Sequence, residues 1–255
     1  MPGSHRVIAV LPAYNAAKTL RQTLADIPRE AVGEIILVDD ASADGTPELA
    51  RQLGLPTIVH PKNRGYGGNQ KTCYAEALRR GADVVVMVHP DHQYDPQSIP
   101  QLIAPLIAGE CDAVFGSRMI LPGAAIAGGM PRWKYLANIA LTRFENRCLG
   151  LRLTEYHSGF RAYSRRVLAA IPFELNSDGF VFDTEIIVQL VVHGFRMQEI
   201  PIATRYFKDA SSVGVAGSIR YGLGILTTMA RYGLTRLGVS RSLQFRRTPI
   251  MKHEV

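Results

Sequence analysis

The sequence has few cysteines and no long apolar stretch, and each absence excludes a class of protein. Its three cysteines, Cys73, Cys111 and Cys148, stand far apart and form no CxxC pair. This argues against a disulfide framework or a zinc site and favours reduced thiols in the cytosol. No run of about eighteen apolar residues lacks charges, and the apolar run before Pro12 is too short for a signal peptide. We therefore expect neither a transmembrane helix nor a signal peptide.

Repeats, low-complexity tracts and Ser/Gly-rich linkers are also missing from the 255 residues. With 47% hydrophobic and 20% charged residues, the chain has a globular composition. Its formal charge of +7 suits an anionic partner, such as a nucleic acid, a phosphate-bearing substrate or an acidic membrane surface. Nucleic acid is disfavoured because the basic residues are spread out and match no known motif.

Strand and helix patterns alternate about five times over the first 118 residues. This alternation predicts an α/β fold with a mostly parallel central sheet flanked by helices. The predicted strands cover residues 6–11, 34–38, 57–60, 83–88 and 113–116. In the second half we predict helices over about 133–149 and 183–193 and a strand over 199–206. Because no linker intervenes, we expect one domain over 1–215, followed by a basic amphipathic extension over 216–255.

Polar clusters follow the predicted strands at 12–15, 39–45, 62–70 and 89–95. Ligands of open parallel sheets bind beyond the carboxyl ends of the strands, so this convergence predicts a ligand site. Asp39 and Asp40 lie at one strand end, where a carboxylate accepts hydrogen bonds from a base N–H or from ribose hydroxyls. The alternative is a turn in which the aspartate caps the backbone, and we prefer that interpretation for Asp44.

A glycine-rich basic loop over residues 62–70 begins a helix. Backbone N–H groups at such a position, with cations beside them, suit a phosphate, and Lys62 and Gly65 are the candidates. The loop matches neither the P-loop nor the dinucleotide fingerprint. A plain turn that starts the helix is the equally favoured alternative.

The segment 89–95 follows the most hydrophobic strand and contains candidate metal ligands. Mg²⁺ needs only one or two carboxylates when substrate phosphates complete its shell, and Asp91 with the Gln93 carbonyl fits that role. The imidazole of His89 suits Mn²⁺ better than Mg²⁺. We interpret Asp95 as a cap of the next helix. The segment therefore predicts a divalent metal, Mn²⁺ or Mg²⁺.

Further along, charged residues flank later strands and helices. Arg118, at the end of the fifth strand, suits a phosphate oxygen. Arg161 has two interpretations, a phosphate contact or a structural ion-pair partner. Asp183 and Glu185 begin a helix. Either both complement the helix dipole, or one of them faces a second substrate.

Six segments, taken in order, are similar to one family; they cover residues 11–15, 36–46, 63–67, 93–96, 116–118 and 158–163. The chain resembles glycosyltransferase family 2, the inverting enzymes of GT-A fold, and within it the dolichol-phosphate mannosyltransferase-like branch. The resemblance implies a hexosyltransferase that uses a nucleotide-sugar donor. It also implies that residues 89–93 form the metal-binding segment that grips the diphosphate.

The resemblance assigns further roles. It implies that the nucleoside is framed by Pro12, Tyr14, Asn15 and Asp39 or Asp40. It implies that phosphates are faced by Arg118, Arg132 and Arg205 or Lys208. The family's usual Asp-x-Asp reads His89-Pro90-Asp91 here, so one carboxylate is replaced and weaker binding of a hard cation is expected.

The C-terminal region indicates the acceptor. Apolar residues recur there at helical spacing, at Ile219, Leu223, Leu226, Met229 and Ala230. Between residues 217 and 247 the chain also has six arginines and no acidic residue. Such a segment lies on an anionic membrane surface, or it packs on the domain and exposes its arginines. The branch that the chain resembles uses polyprenyl-phosphate acceptors. We therefore expect a peripheral enzyme of the cytoplasmic face that glycosylates a polyprenyl phosphate.

Three other functions stay open at this point. One is a soluble glycosyltransferase with a hydroxyl acceptor, whose proton a carboxylate must take, with Asp183 or Glu185 as candidate base. Another is a nucleotidyltransferase, which also combines an α/β sheet, carboxylates and a metal. The last is a non-catalytic nucleotide-binding protein, since His89 replaces a carboxylate.

Overall fold

One seven-stranded sheet organises the chain in the computed structural model, which describes residues 5–205 and 214–247. The strand order across the sheet is β3-β2-β1-β4-β6-β5-β7. The strands are β1 (Val7–Ala13), β2 (Glu34–Asp39), β3 (Thr57–Val59), β4 (Val84–Met87), β5 (Ala113–Ser117), β6 (Arg161–Ser164) and β7 (Met197–Pro201).

The sheet is mostly parallel, as predicted. Strand β1 pairs in parallel with β2 and β4, β2 with β3, and β5 with β7. Strand β6 is antiparallel to both of its neighbours, β4 and β5. The predicted strand over 199–206 is wrong in its bounds, because β7 already ends at Pro201 and Thr204 makes only an isolated bridge to Tyr94.

Nine helices lie in the described parts of the chain, and the two predicted over about 133–149 and 183–193 each match an observed helix to within one residue at both ends. They are α1 (Leu20–Asp26), α2 (Thr46–Gln52), α3 (Tyr66–Arg79), α4 (Ile99–Ile107), α5 (Ala124–Ala127), α6 (Arg132–Leu149), α7 (Arg165–Ala170), α8 (Phe182–His193) and α9 (Val215–Arg236). Helix α5 was not predicted, since four residues are too few to show a helical period.

Both faces of the sheet are covered by apolar layers. In β1, Ile8 and Val10 face the layer that contains α3, α8 and α9. The alternating residues, Ala9 and Leu11, face the other layer, which contains α1 and α4. All seven residues of β1 are buried, which is typical of a strand covered on both faces. The carboxyl ends of β1, β2 and β4 are left as the edge where polar loops meet.

Helix α9 belongs partly to this core. Ile225 and Met229 are buried in the same layer as Phe245, which follows the helix. Of the apolar positions at helical spacing, Met229 therefore packs inward on the domain. Ile219, Leu223 and Leu226 stay exposed on a different side of the helix. Across the described ranges, no helix has both the length and the apolar character needed to cross a membrane.

Candidate active site

The loops after β1, β2 and β4 hold backbone in an uncommon conformation. Asn15, Ala41 and His92 have φ angles of 52°, 61° and 57°, in the left-handed region that residues with a side chain rarely adopt. One such residue lies in each loop, at the edge where the sequence predicts a ligand. Strained backbone of this kind clusters at functional sites when surrounding contacts enforce it.

The predicted nucleoside residues meet at this edge. Pro12 and Ala13 of β1 stand beside Val38 and Asp39 of β2. Ser42 links the two loops, because its hydroxyl donates to Asp39 and accepts from the Asn15 amide at 2.8 Å. Tyr14 is 58% exposed and open to a ligand. The structure thus brings these residues together, and their contact with a nucleoside stays a prediction.

Asp40 has an internal role. Its carboxylate lies 2.7 Å from Nδ1 of His60 and accepts from the amides of Arg64 and Gly65 at 2.8 and 2.9 Å. The amide of Gly67 in turn donates to the Asp178 carbonyl at 2.7 Å. The prediction that the Gly65 amide binds phosphate is therefore wrong, since that N–H holds the loop against Asp40. The loop is the helix-starting turn of the alternative interpretation.

Lys62 is exposed in the same loop, and its contact with phosphate stays a prediction. The turn and cap interpretations of two other aspartates are confirmed. Asp44 accepts from the Ala17 amide at 3.0 Å and from Thr46, and these hydrogen bonds outweigh burial and lower its pKa. Asp95 accepts from the Gln97 amide at 3.1 Å and caps a short 3-10 turn.

A cavity of about 250 Å³ opens beyond the end of β4. Its polar wall includes His89, Asp91, Gln93, Arg118 and Asp183. Helices α6 and α9 close the other side with side chains that the sequence reasoning did not single out: Trp133, Lys134, Ala137, Asn138, Leu141, Ser218 and Tyr221. The cavity therefore joins the predicted metal-binding segment to an apolar wall.

His89 is fixed by an aromatic stack. Its ring lies on that of Tyr66 with 5.5 Å between centroids, and its Nε2 is 3.4 Å from the Tyr66 hydroxyl. A Cβ on Gly159 would come within 2.3 Å of that Nε2, so only glycine fits there. A ligand of this histidine is therefore best approached from its Nδ1 side.

Residues of the predicted metal segment already take part in hydrogen bonds. Asp91 Oδ1 accepts from the Gln93 amide at 3.1 Å, and the Gln93 carbonyl accepts from the Arg205 amide at 2.9 Å. Within residues 5–205 and 214–247, no three His, Cys, Asp or Glu side chains cluster as a metal site would. His89 and Asp91 can supply only part of a coordination shell, which fits a cation held chiefly by substrate phosphates.

Arg118 lies on the cavity wall, and a buried carboxylate, Glu155, holds its guanidinium in place. Its Nε donates to Glu155 Oε1 at 2.8 Å, its amide donates to the other carboxylate oxygen at 2.8 Å, and Asn138 donates to Oε1 at 2.8 Å. Burial raises the pKa of Glu155, but the Arg118 charge and these hydrogen bonds outweigh it and lower the value. The carboxylate therefore stays ionised and fixes the guanidinium.

The interpretation of Arg161 as a structural residue is confirmed. Its guanidinium is fully buried and donates to the carbonyls of Ser158, Tyr156 and Asp183 at 2.6, 2.6 and 3.0 Å. Of the two acids that begin α8, Asp183 lines the cavity. Glu185 instead accepts a hydrogen bond from the Ser177 amide and pairs with Arg231 on the other side of α8. The suggestion that Glu185 acts as a base is therefore wrong.

The remaining predicted cations lie at the margin. Arg132 is exposed at the first residue of α6, outside the set of cavity-lining residues. Arg205 lies 3.6 Å from Asp95 and 3.5 Å from Nε2 of His92, and Lys208 falls outside the described residues. Lys134, which sequence reasoning missed, lines the cavity instead, and burial together with the Arg118 charge lowers its pKa.

Comparison with known proteins identifies relatives of this chain. Residues 8–171 match the family described as glycosyl transferase family 2. An undecaprenyl-phosphate mannosyltransferase of Micrococcus luteus is 33% identical over 205 residues, covering 77% of this chain and 82% of the relative. A polyprenol monophosphomannose synthase of Mycolicibacterium smegmatis is 30% identical over 207 residues, covering 78% and 77%. These matches confirm the predicted dolichol-phosphate mannosyltransferase-like branch.

Solved structures confirm the GT-A fold. Glucosyl-3-phosphoglycerate synthase from Mycobacterium tuberculosis, solved with Mn²⁺, UDP and glucosyl-3-phosphoglycerate, superposes with a TM-score of 0.65. The two chains are 20% identical, and the match covers 94% of this chain and 82% of that one. Together the comparisons identify a glycosyltransferase, so the nucleotidyltransferase and non-catalytic alternatives are wrong.

Proposed function

Because the chain belongs to glycosyl transferase family 2, we propose that it transfers a hexose, with inversion, from a nucleotide-sugar to a polyprenyl phosphate. The observation that carries this proposal is the composition of the cavity wall. Arg118 and Lys134 offer positive charge there, while Met130, Trp133 and Leu141 form an apolar side. A phosphate attached to a hydrocarbon chain matches both.

The donor would lie across the edge of the sheet. Pro12, Tyr14, Asn15 and Asp39 are the proposed nucleoside contacts, and the diphosphate would extend towards Asp91. The solved glucosyl-3-phosphoglycerate synthase complexes hold UDP with Mn²⁺ or Mg²⁺, which supports the same kind of donor and cation. We propose that Asp91 and His89 hold a divalent cation together with the donor diphosphate. When bound, such a cation stabilises negative charge on the leaving diphosphate.

The residues of the cavity fit an in-line displacement at the anomeric carbon. The bond between that carbon and the diphosphate oxygen breaks, the diphosphate keeps the electron pair, and a phosphate oxygen of the acceptor forms the new bond. A phosphate monoester is largely ionised near pH 7, so no protein base has to remove a proton. Arg118 and Lys134 would orient the acceptor phosphate and offset its charge.

The surface beside the cavity fits a lipid-borne acceptor. Ile219, Leu223 and Leu226 are exposed on α9, and Leu234 and Leu237 continue the same row. At 100° per residue, these positions fall within about a quarter of the helix circumference. Trp133 and Leu136 add exposed apolar area on α6, which contacts α9. We propose that this surface rests on the cytoplasmic face of a membrane, as a peripheral contact.

A direct transfer assay tests the function. The full chain is incubated with labelled UDP- and GDP-hexoses, Mn²⁺ or Mg²⁺ and a polyprenyl phosphate, and label is followed into the organic phase. The polyprenol without its phosphate and a panel of saccharides serve as acceptor controls. Label should enter lipid only with the phosphate present. Transfer to saccharides, with none to polyprenyl phosphate from any donor, would establish the hydroxyl-acceptor alternative instead.

A further inference from the structure

His157 stands on the wall of the cavity and has no assigned role. Its side chain is only 9% exposed, and its ring packs edge-on against Tyr221 of α9, with 5.6 Å between centroids. Its Nε2 lies 3.0 Å from Oε2 of Glu145. The two atoms are close enough for an ion pair, yet within the described residues neither makes a hydrogen bond of acceptable geometry.

Glu145 is a fully buried carboxylate on α6. Its other oxygen, Oε1, accepts from the Thr184 hydroxyl at 3.1 Å. Asn138 and Thr142 lie on the same buried side of the helix, so α6 presents a polar face inward. Burying a carboxylate is costly unless a positive charge and hydrogen bonds compensate it, and His157 is the basic side chain beside it. His157 therefore lines the cavity, and the buried Glu145 lies behind it.

The position of His157 relative to other cavity groups indicates a ligand. Arg118 donates to the backbone carbonyl of His157 at 3.2 Å, and Lys134 lines the same cavity. Arg118, Lys134 and His157 thus surround one space. Carboxylates lie behind two of them, Glu155 behind Arg118 and Glu145 behind His157.

We propose that His157 is a contact of the acceptor phosphate and that Glu145 is its positioning residue; this rests on the proposed function. With Nε2 directed at Glu145, Nδ1 is the ring nitrogen left for a ligand. With phosphate bound, an imidazole protonated on both nitrogens would donate from Nδ1 to the phosphate oxygen, and its charge would face the Glu145 carboxylate 3.0 Å away. Glu145 thereby fixes the ring and balances its charge, as Glu155 does for Arg118.

The chain has a built-in reporter for the test, because its single tryptophan, Trp133, lines the cavity. Fluorescence titrations with farnesyl phosphate, farnesol and inorganic phosphate measure binding to the wild type and to H157L, H157N and E145Q. His157→Leu removes both nitrogens at similar volume, whereas His157→Asn keeps a donor near the position of Nδ1. His193→Asn, at the far end of α8, is the matched histidine control.

We expect His157→Leu to weaken farnesyl phosphate binding about 10- to 100-fold, the effect of losing a hydrogen bond to a charged group. Farnesol binding and the donor KM should be unchanged. Asn at this position should restore most of the affinity, Glu145→Gln should fall between, and the His193 variant should match the wild type. Phosphate binding that follows the same order would show that the headgroup is what His157 recognises.

Other outcomes overturn the inference. Equal loss of farnesol and farnesyl phosphate binding would show that His157 only shapes the cavity. A collapse of kcat with unchanged acceptor KM would show that it acts as a base. If the wild type transfers sugar to polyprenyl phosphate and H157L binds farnesyl phosphate normally, only this inference fails. If the wild type itself neither binds nor glycosylates a prenyl phosphate, the proposed function fails first.

Discussion

The hydroxyl of Tyr66 donates a 2.7 Å hydrogen bond to Oδ2 of Asp183, across 117 residues of sequence. Gln70 donates to the other oxygen, Oδ1, at 3.2 Å. Burial and the Asp183 charge raise the pKa of Tyr66, which keeps its hydroxyl protonated as a donor. Because both oxygens of Asp183 are engaged, this carboxylate ties α3 to α8 and is poorly placed to accept a proton from a substrate. This arrangement favours an acceptor that needs no base.

Replacing Asp91 with alanine should abolish transfer without unfolding the protein. Asp91 is the one carboxylate of the segment 89–93, so its loss removes the proposed cation from the leaving diphosphate. We expect kcat/KM to fall by at least about 100-fold, since metal stabilisation of a leaving group amounts to several kcal/mol. Asp95→Asn, in the same loop, retains a capping oxygen and should keep activity within a few-fold. Wild-type turnover by D91A, with its folding verified by circular dichroism, would remove Asp91 from the mechanism.

Activity should depend on a divalent ion, with Mn²⁺ at least as effective as Mg²⁺. The reason is that imidazole is a softer ligand than the carboxylate usual at this position. His89→Asp should shift the preference towards Mg²⁺, as measured by initial rates over a concentration series of each metal. An unchanged metal profile would show that His89 is held by Tyr66 for another purpose. Full activity in excess chelator would rule out the cation altogether.

The strand ends could be predicted from sequence because they obey a local rule. Pro12 and Asp39 follow apolar runs, and parallel strands bring their carboxyl ends to one edge. The role of Asp40 could not be read in this way, since its partners His60 and Gly65 lie twenty or more residues ahead. From sequence alone, an aspartate that accepts hydrogen bonds from backbone amides cannot be told from one that binds a ligand.

The acceptor side of the cavity could not be predicted for a different reason. Strand β6 runs between β4 and β5, which are consecutive in the sequence. This insertion brings Gly159 beside His89 and places His157 on the wall of the same cavity. Helical spacing alone does not say which face of α6 meets which part of the chain. That face carries Asn138 and Glu145, and their polarity is the one signal that an inward site exists there.

Protonation of Glu76 should weaken the fold at low pH. Hydrogen bonds from Arg79 and Arg80 lower the pKa of this carboxyl to about 2 against burial, and Arg80 also reaches Glu34 of β2. A depressed pKa means that the stabilisation is complete above the unfolded-state value near 4.5 and is lost as pH falls towards about 2. Glu76→Gln should therefore lower the free energy of unfolding by about 1–2 kcal/mol at pH 7 and by much less at pH 2.5.

Urea unfolding at the two pH values measures that difference. Glu48→Gln is the matched control, because Glu48 pairs with Arg51 on an exposed helix face at 3.7 Å. Exposed pairs contribute little, so this variant should stay within about 0.5 kcal/mol of the wild type at both pH values. An equal destabilisation by E76Q at pH 7 and pH 2.5 would show that packing, and not the charge network, is what Glu76 supplies.

The exposed face of α9 should bind anionic vesicles. Removing the whole helix is a poor test, because Ile225 and Met229 belong to the core. The sharper variant changes Leu223 and Leu226 to asparagine, since both are exposed on α9, the helix that also carries Arg220. Co-sedimentation of the full chain with vesicles should require anionic lipid and weaken with salt, because salt screens the arginine charges.

We expect the double variant to lower the vesicle partition coefficient at least about tenfold, since each leucine contributes more than 1 kcal/mol when it leaves water. Leu175→Asn, which alters an exposed leucine in a 3-10 turn outside α9, should bind vesicles like the wild type. Transfer to short, water-soluble prenyl phosphates should be the same in all three proteins, because α9 would act by placing the cavity at the membrane. A wild-type chain that stays in the supernatant with anionic vesicles at low salt would contradict the membrane contact. Transfer to the short acceptor would then decide the polyprenyl-phosphate proposal separately.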